Sequence, residues 1–396
     1  SPDLKSVIPA SSIWTFLLNC ITNNFPLFAK IVNYRKFAAK EVDMKHLKIT
    51  FSLLAAAVAM FCSCGRSASV GSAASELFSI SGIPDGYRIR VSGPDGKATD
   101  SLEVTGTLDR IICMSSSYVA YLSELGCDSV ICGISGAKYV SNEAVRKRYI
   151  DGEIAEVGSD AVPDYEKIVS LSPDLVVAYS MPGSDFAGQL RKLGIKVLVL
   201  NDYLENAPLG RASYIRVFGA LTGRLEMADS ILNGIAQSYN ELKDKVIDAV
   251  PADAVPGVLM NIPYADAWYV PGGTNYMSQL VSDAGAKVLG AVPGKSESSI
   301  ISVEQAIILS RDASFWLNTG WCDTMEALHS QNQAFKSIDI PYIYNNTARA
   351  NDRGGNDFWE SGAARPDVIL HDLVKIFHPE IVAHDGRELY FYKKVD

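Results

Sequence analysis

From Arg110 onward, short apolar runs alternate with amphipathic segments, and few folds accept that rhythm. The runs lie at residues 111–114, 130–132, 175–178 and 197–200, each apolar at consecutive positions. A strand with one solvated face alternates in polarity, whereas a continuous run of this length fits a strand covered on both faces. Between the runs lie helical patterns at 119–125, 165–171 and 186–193. Together they predict a parallel sheet with helices on both sides. A second series has runs at 257–260, 268–270, 314–317 and 342–344, and a helical pattern at 368–377 closes it.

Residues 205–250 interrupt the alternation. Ala228, Ile231, Leu232, Ile235, Tyr239, Leu242 and Val246 recur at helical spacing, and Pro251 and Pro256 stop the pattern. A helix of about 24 residues would be roughly 36 Å long. The expected fold is therefore α/β, with two Rossmann-like lobes joined by a single long spine helix and a ligand cleft between the lobes. The expected domains are an N-terminal lobe at 87–204, a spine region at 205–250 and a C-terminal lobe at 251–396. Tyr87-Arg-Ile-Arg-Val91 alternates with period two and meets the turn signal Pro94-Asp-Gly96, so a hairpin leads the first lobe.

The two series share a weak internal repeat. Tyr165-Glu-Lys-Ile-Val-Ser-Leu-Ser-Pro-Asp-Leu-Val-Val-Ala178 matches Val303-Glu-Gln-Ala-Ile-Ile-Leu-Ser-Arg-Asp-Ala-Ser-Phe-Trp316 at Glu, Leu, Ser and Asp. Each copy reads as a helix, a tight turn and a buried strand. The separation is far beyond a solenoid period, so the repeat relates two lobes. Each copy places one Glu at its helix start, where the helix dipole alone would favour it by about 0.3–1 kcal/mol.

With these features the chain resembles the substrate-binding proteins of ABC importers that carry vitamin B12, haem and iron–siderophore complexes. The resemblance spans about 107–380. It rests on Arg110-Ile-Ile-Cys-Met-Ser-Ser-Ser117, Val157-Gly-Ser159, Asp164-Tyr-Glu-Lys-Ile168, Ser172-Pro-Asp-Leu-Val176, Leu193-Gly-Ile-Lys-Val197, the spine pattern and Ser302-Val-Glu-Gln305. It implies a protein that binds a chelate and does no catalysis. It also implies that Glu166 and Glu304 dock onto the transmembrane subunits of a permease, which works with ATPase subunits. No cofactor of its own is implied; the ligand would carry cobalt or iron, and the protein would act as a monomer.

Met44-Lys-His-Leu-Lys48, the apolar run 49–61 and Cys62-Ser63-Cys64-Gly65 resemble a bacterial lipoprotein signal. The run is too short to span a bilayer of roughly 30 Å as a helix. Cys64 fits the lipidation position best, with Cys62 as its rival because Phe61 and Cys62 depart from the usual pattern. Residues 64–86 would then form a lipid-anchored tether, and the protein would be exported, held at the membrane by lipid only and facing the periplasm or cell exterior. Residues 1–43 precede a Met that opens a complete signal, so they are read as a non-native upstream extension; a genuine amphipathic anchor is the other reading. The whole sequence carries −9 formally, with 36 basic and 45 acidic residues. Without residues 1–63, which hold seven basic and three acidic side chains, 29 and 42 remain, a net of −13. Neither balance suits a nucleic-acid surface.

In open α/β sheets, ligands sit beyond the carboxyl ends of strands. That rule nominates Ser116, Tyr118, Tyr139, Ser159, Asp160 and Tyr179 from the first series. From the second it nominates Trp268, Tyr269, Trp321, Arg353, Phe358 and Trp359. The set is rich in aromatics, which cover a macrocycle at low entropic cost. Basic residues in these loops are few, mainly Lys138 and Arg353, which tips the balance slightly toward a corrinoid or haem-like ligand over a strongly anionic siderophore, although two such donors can suffice for a carboxylate. No metal-ligand spacing occurs among the histidines, and no Cys-x-x-Cys pair is written; Cys113 and Cys132 read as buried hydrophobes, with a bridge between them left open. Walker A, Gly-x-Ser-x-Gly and His-Glu-x-x-His strings are absent from the sequence. Two rival readings are a surface lipoprotein that captures a corrinoid or haem without a permease, and an exported enzyme on the same fold.

Overall fold

The computed structural model describes Ser75 and residues 77–396, apart from Asp160, Pro182 and Asp266. The expectations for residues 1–63, for lipidation at Cys64 and for ligand contact by Asp160 lie outside the described residues.

Strands β1 (Phe78–Ile83), β2 (Gly86–Ser92) and β3 (Ala98–Thr105) form an antiparallel sheet in that order. The expected hairpin is β2 and β3: Ile89 and Val91 face inward, Arg88 and Arg90 face water, and Gly96 takes the left-handed turn position at φ +74°. β1 corrects the tether drawn over 64–86. Phe78 and Ile80 pair with Val91 and Ile89, and the Phe78 ring lies 4.7 Å from that of Tyr214. Ser79, Ser81 and Gly82 dilute its apolar pattern, so it reads as linker in sequence.

The first lobe contains β4 (Ile111–Cys113), α1 (Ser116–Glu124), β5 (Ile131–Ile134), α2 (Glu143–Ile150), β6 (Ala155–Glu156), α3 (Tyr165–Ser170), β7 (Leu175–Tyr179), α4 (Phe186–Lys192) and β8 (Val197–Leu200). Its five strands are parallel, in the order β6-β5-β4-β7-β8. The chain steps outward from β4 to β6, then crosses back to lay β7 on the other side of β4. Loops leaving β4 and β7 therefore part, and a crevice opens between them.

After α5 (Pro208–Ala212) and α6 (Ile215–Leu221), the spine helix α7 (Leu225–Ala249) runs for 25 residues. Its buried stripe is Ala228, Leu232, Ile235, Ala236, Tyr239 and Val246, close to the spacing read in sequence. The second lobe follows with β9 (Gly257–Met260), β10 (Trp268–Val270), α8 (Tyr276–Asp283), β11 (Lys287–Val288), β12 (Ser299–Ile301), α9 (Val303–Leu309), β13 (Ala313–Leu317), α10 (Met325–Gln331), β14 (Tyr342–Asn345), α11 (Ser361–Ala364), α12 (Pro366–Phe377) and β15 (Lys393–Lys394). The sheet order is β11-β9-β13-β14-β15, parallel except at β15. It also reverses direction once, between β9 and β13, but with two strands on one side of the switch and three on the other, where the first lobe has three and two. β10 departs from the expected series, because it leaves the main sheet and pairs antiparallel with β12.

The sequence repeat corresponds to α3–β7 in one lobe and α9–β13 in the other. Asp164 caps α3 by accepting from the Lys167 amide at 2.9 Å, and Ser302 caps α9 in a reciprocal capping box with Gln305. Cys113, Cys127, Cys132 and Cys322 are free and buried, so the bridge left open between Cys113 and Cys132 does not form. Burial pushes the Cys113 thiol far up, which makes it an inert core group. Among the described residues no helix is long and apolar enough to cross a membrane.

Candidate ligand-binding cleft

The carboxyl ends of the first lobe's strands surround a cavity of about 1060 Å³. Ser115 to Ser117 follow β4, and Ser135 to Tyr139 follow β5. Tyr179 to Met181 and Asp202 to Leu204 close β7 and β8. A second cavity of about 430 Å³ is walled by the turns after β9, β13 and β14, namely Asn261, Asn318, Gly320, Trp321, Asn346 and Thr347, with Gly354 to Asn356 and Trp359. Ser116 and Tyr139 line both cavities, so the two form one cleft across the lobes. Their combined volume exceeds the roughly 300–1,000 Å³ typical of small-ligand sites.

Backbone geometry shapes the second wall. Asn261 and Asn318 directly follow the neighbouring strands β9 and β13, and both take positive φ, +66° and +62°. Asn tolerates that conformation better than most residues, and it turns the chain sharply out of the sheet. Trp316 Nε1 donates to the Asn261 carbonyl at 2.8 Å, which fixes this turn to the core.

The floor of the larger cavity carries an acid–base cluster that the sequence did not announce. Asp202 is 2% exposed. It accepts from the Ser117 hydroxyl at 3.2 Å, and the Tyr118 hydroxyl lies 3.3 Å away, shared with the Ala178 carbonyl at 3.2 Å. Arg211 Nε lies 3.7 Å from the same carboxylate and has no hydrogen-bond partner. Burial pushes the Asp202 carboxyl up, against the pull of Arg211, Ser117, Tyr118 and the Tyr203 amide. Burial works to lower the Arg211 pKa, but Asp202, Tyr121 and Tyr276 together carry it upward. A second carboxylate, Glu156, accepts from the amides of Gly136, Ala137 and Gly158 at 2.9, 2.7 and 3.1 Å.

One end of the cleft is closed by a clasp between lobes. The Glu360 carboxylate accepts from the amides of Ser141 and Asn142, each at 2.8 Å, at the start of α2. Asn351 Nδ2 donates to the Tyr139 carbonyl at 3.1 Å, and Arg146 approaches Asp352 at 3.7 Å. Gly355 passes so close that a Cβ would sit 1.8 Å from the Tyr139 oxygen. Burial pushes the Glu360 carboxyl up to about 7, with Asp357 adding to the rise while the two amides oppose it.

The nominated residues divide into three groups. Ser116, Tyr139, Ser159, Tyr179, Trp321 and Trp359 line the cleft. Tyr139, Trp321 and Trp359 are 44%, 61% and 47% exposed, so part of each side chain is open to a ligand. Tyr118, Trp268 and Phe358 are corrected to core residues, none above 1% exposed. Trp268 stacks on Trp316 and donates to the Met260 carbonyl, and Phe358 packs among Trp359, Phe391 and Tyr392. Tyr269 and Arg353 are exposed but line neither cavity; Tyr269 lies on β10, outside the main sheet, and Arg353 lies in the clasp loop. Glu166 and Glu304 are both exposed in the first turns of α3 and α9. The Glu304 amide and the Ser302 hydroxyl hold the Glu304 carboxyl below its ordinary range.

Sequence reasoning missed Asp202, Arg211, Glu156 and Glu360. Asn201-Asp202 directly follows the apolar run 197–200, so a polar pair at a strand end was an available signal. Arg211 had none, because it lies in the interlobe helices rather than in a strand-end loop. Among the described residues no group of three His, Cys, Asp or Glu converges as a metal site.

Residues 111–337 match the family model described as periplasmic binding protein. An uncharacterized lipoprotein of Methanocaldococcus jannaschii is 25% identical over 313 residues, covering 75% of this chain and 72% of its own. A cobalamin-binding protein of Halobacterium salinarum is 24% identical over 264 residues, 66% of each. The crystal structure of a periplasmic heme-binding protein from Pseudomonas aeruginosa superposes with a TM-score of 0.55 at 18% identity, covering 73% of this chain and 98% of that one.

Proposed function

The chain belongs to the periplasmic binding protein family, and on that premise we propose that it captures a metal chelate of the corrinoid or haem class for an ABC importer. The observation that carries this reading is the open aromatic rim. Tyr139, Trp321 and Trp359 bring exposed aromatic side chains from both lobes to one large cleft. Flat, rigid rings bury the surface of a planar macrocycle with little loss of side-chain freedom. The cobalt or iron then arrives inside its own chelate, so the protein needs to bind the periphery and faces of the ligand. A cobalamin-binding relative and heme-binding neighbours of the same fold are consistent with that class.

Delivery completes the proposal. Glu166 and Glu304 stand at equivalent positions of the two lobes, exposed and free to meet cations on the permease. An exported protein anchored by lipid at Cys64 would be held near that partner. The rim residues recognise, the clasp sets the gap between lobes, and the paired carboxylates dock.

The binding reading is tested by mixing the purified protein with cyanocobalamin, haemin or a ferric siderophore and desalting. Stoichiometric retention of the corrinoid or haem absorbance is expected, with quenching of tryptophan fluorescence. Retention of none of the three would overturn the ligand class; retention of the siderophore alone would reassign it.

A further inference from the structure

We infer that Asp202 makes the cleft selective for uncharged chelates by cancelling Arg211, and this inference rests on the chelate-binding reading above. Among the described residues, the larger cavity holds two cations, Lys138 and Arg211, and two carboxylates, Glu156 and Asp202. The charges are balanced, and the balance is built into the fold. Asp202 is fixed by Ser117 and stands 3.7 Å from Arg211 Nε. Glu156 is held by three backbone amides, while Lys138 lies over the Tyr139 ring at 4.6 Å.

Charge balance decides which ligands gain by entering. A carboxylate that leaves water needs a cation whose field is not already spent. Arg211 does not provide one while Asp202 stands beside it, so a ligand carboxylate would meet attraction and repulsion together. An amide or ester at the same place needs only hydrogen bonds. The floor supplies these from Ser115, Ser116 and Ser135 and from the guanidinium itself, which makes no close hydrogen bond to Asp202. Asp202 is therefore a specificity-determining residue, acting through the charge of Arg211.

The experiment compares charged and uncharged forms of one scaffold. The probes are cyanocobalamin with its monocarboxylate derivatives, and haemin dimethyl ester with haemin. In whichever scaffold binds, the wild-type protein should hold the uncharged form at least tenfold more tightly. Asp202→Asn keeps the shape of the side chain and unmasks Arg211, so the preference should reverse toward the carboxylate. In the double variant Asp202→Asn/Arg211→Gln, the reversal should disappear. Thermal unfolding of each variant shows whether it is folded; if Asp202→Asn does not fold, Arg211→Gln alone must strengthen the preference for the uncharged form, because it leaves a net negative floor. A wild-type protein indifferent to ligand charge, or a folded Asp202→Asn with unchanged preference, overturns the inference while the chelate reading stands. No binding of any of the four probes to the wild-type protein overturns both.

Discussion

At the residue scale, Glu360 shows how a side chain reports its surroundings through its proton. It is buried between the lobes and its carboxyl is pushed up to about 7, from an ordinary value near 4.5. In the unfolded chain the group ionises at the lower value, so between pH 4.5 and 7 the folded protein holds more proton. Stability from this group is therefore fully present below about 4.5 and falls as pH rises toward 7. A shift of this size corresponds to something on the order of 3 kcal/mol. Glu360→Gln carries no titrating proton, so the wild-type protein should lose stability relative to it between pH 5 and pH 8. Chemical unfolding of both proteins at the two pH values measures this, and a gap that does not change with pH would show that Glu360 does not titrate there. The residue also shows what sequence conceals. A Glu two positions past Phe358, beside Trp359, looks like a solvated loop end. It is buried because its carboxylate meets two amides more than 200 positions earlier in the chain.

At the element scale, the apolar runs and the 138-residue echo were legible because strand burial and helix periodicity write themselves locally. The α3–β7 and α9–β13 units appear where the repeat placed them, and the spine helix follows its stripe. The cleft was legible only as a set of strand ends. Trp268 at the start of β10 and Tyr118 in the first turn of α1 were nominated with those ends, yet both are buried in the core, and no local pattern separates a rim aromatic from a core one. The clasp loop's role was illegible for the same reason as Glu360, since the contacts that join it to the first lobe are distant in sequence. It makes a paired prediction about two glycines. Gly355→Ala forces a methyl against the Tyr139 carbonyl and Asn351 Nδ2, so the clasp must open or shift, at about 1–3 kcal/mol. Gly234→Ala, on an exposed stretch of α7 with open space around it, should stabilise by up to about 1 kcal/mol through helix propensity. Denaturant titration should move the two midpoints in opposite directions. If Gly355→Ala leaves its midpoint unchanged, the contact with Tyr139 is not a tight one in solution.

At the scale of the whole molecule, two lobes built on five-stranded sheets hang on one helix, and the clasp is a further tie between them. With both in place, and with Ala363 and Ala364 of α11 buried in the first lobe's core, the gap between lobes is set at more than one point. Glu166 and Glu304 occupy matching helix starts on either side of that gap, so a partner that contacts both reads the lobe spacing as well as the charge. A single exposed ion pair contributes only about 0–1 kcal/mol. Two pairs held at a fixed separation add orientation, because a wrongly spaced partner can satisfy only one of them. Reversing both charges converts attraction into repulsion at each contact. The double variant Glu166→Arg/Glu304→Arg should therefore abolish uptake of the chelate in cells carrying the cognate permease. Either single variant should retain part of it. Ligand affinity should stay at the wild-type value in all three, because neither carboxylate lines the cleft. Uptake that survives the double reversal would remove the docking role and leave a capture protein that works without a permease. Loss of ligand affinity alongside uptake would instead mean that the helix starts govern the cleft itself.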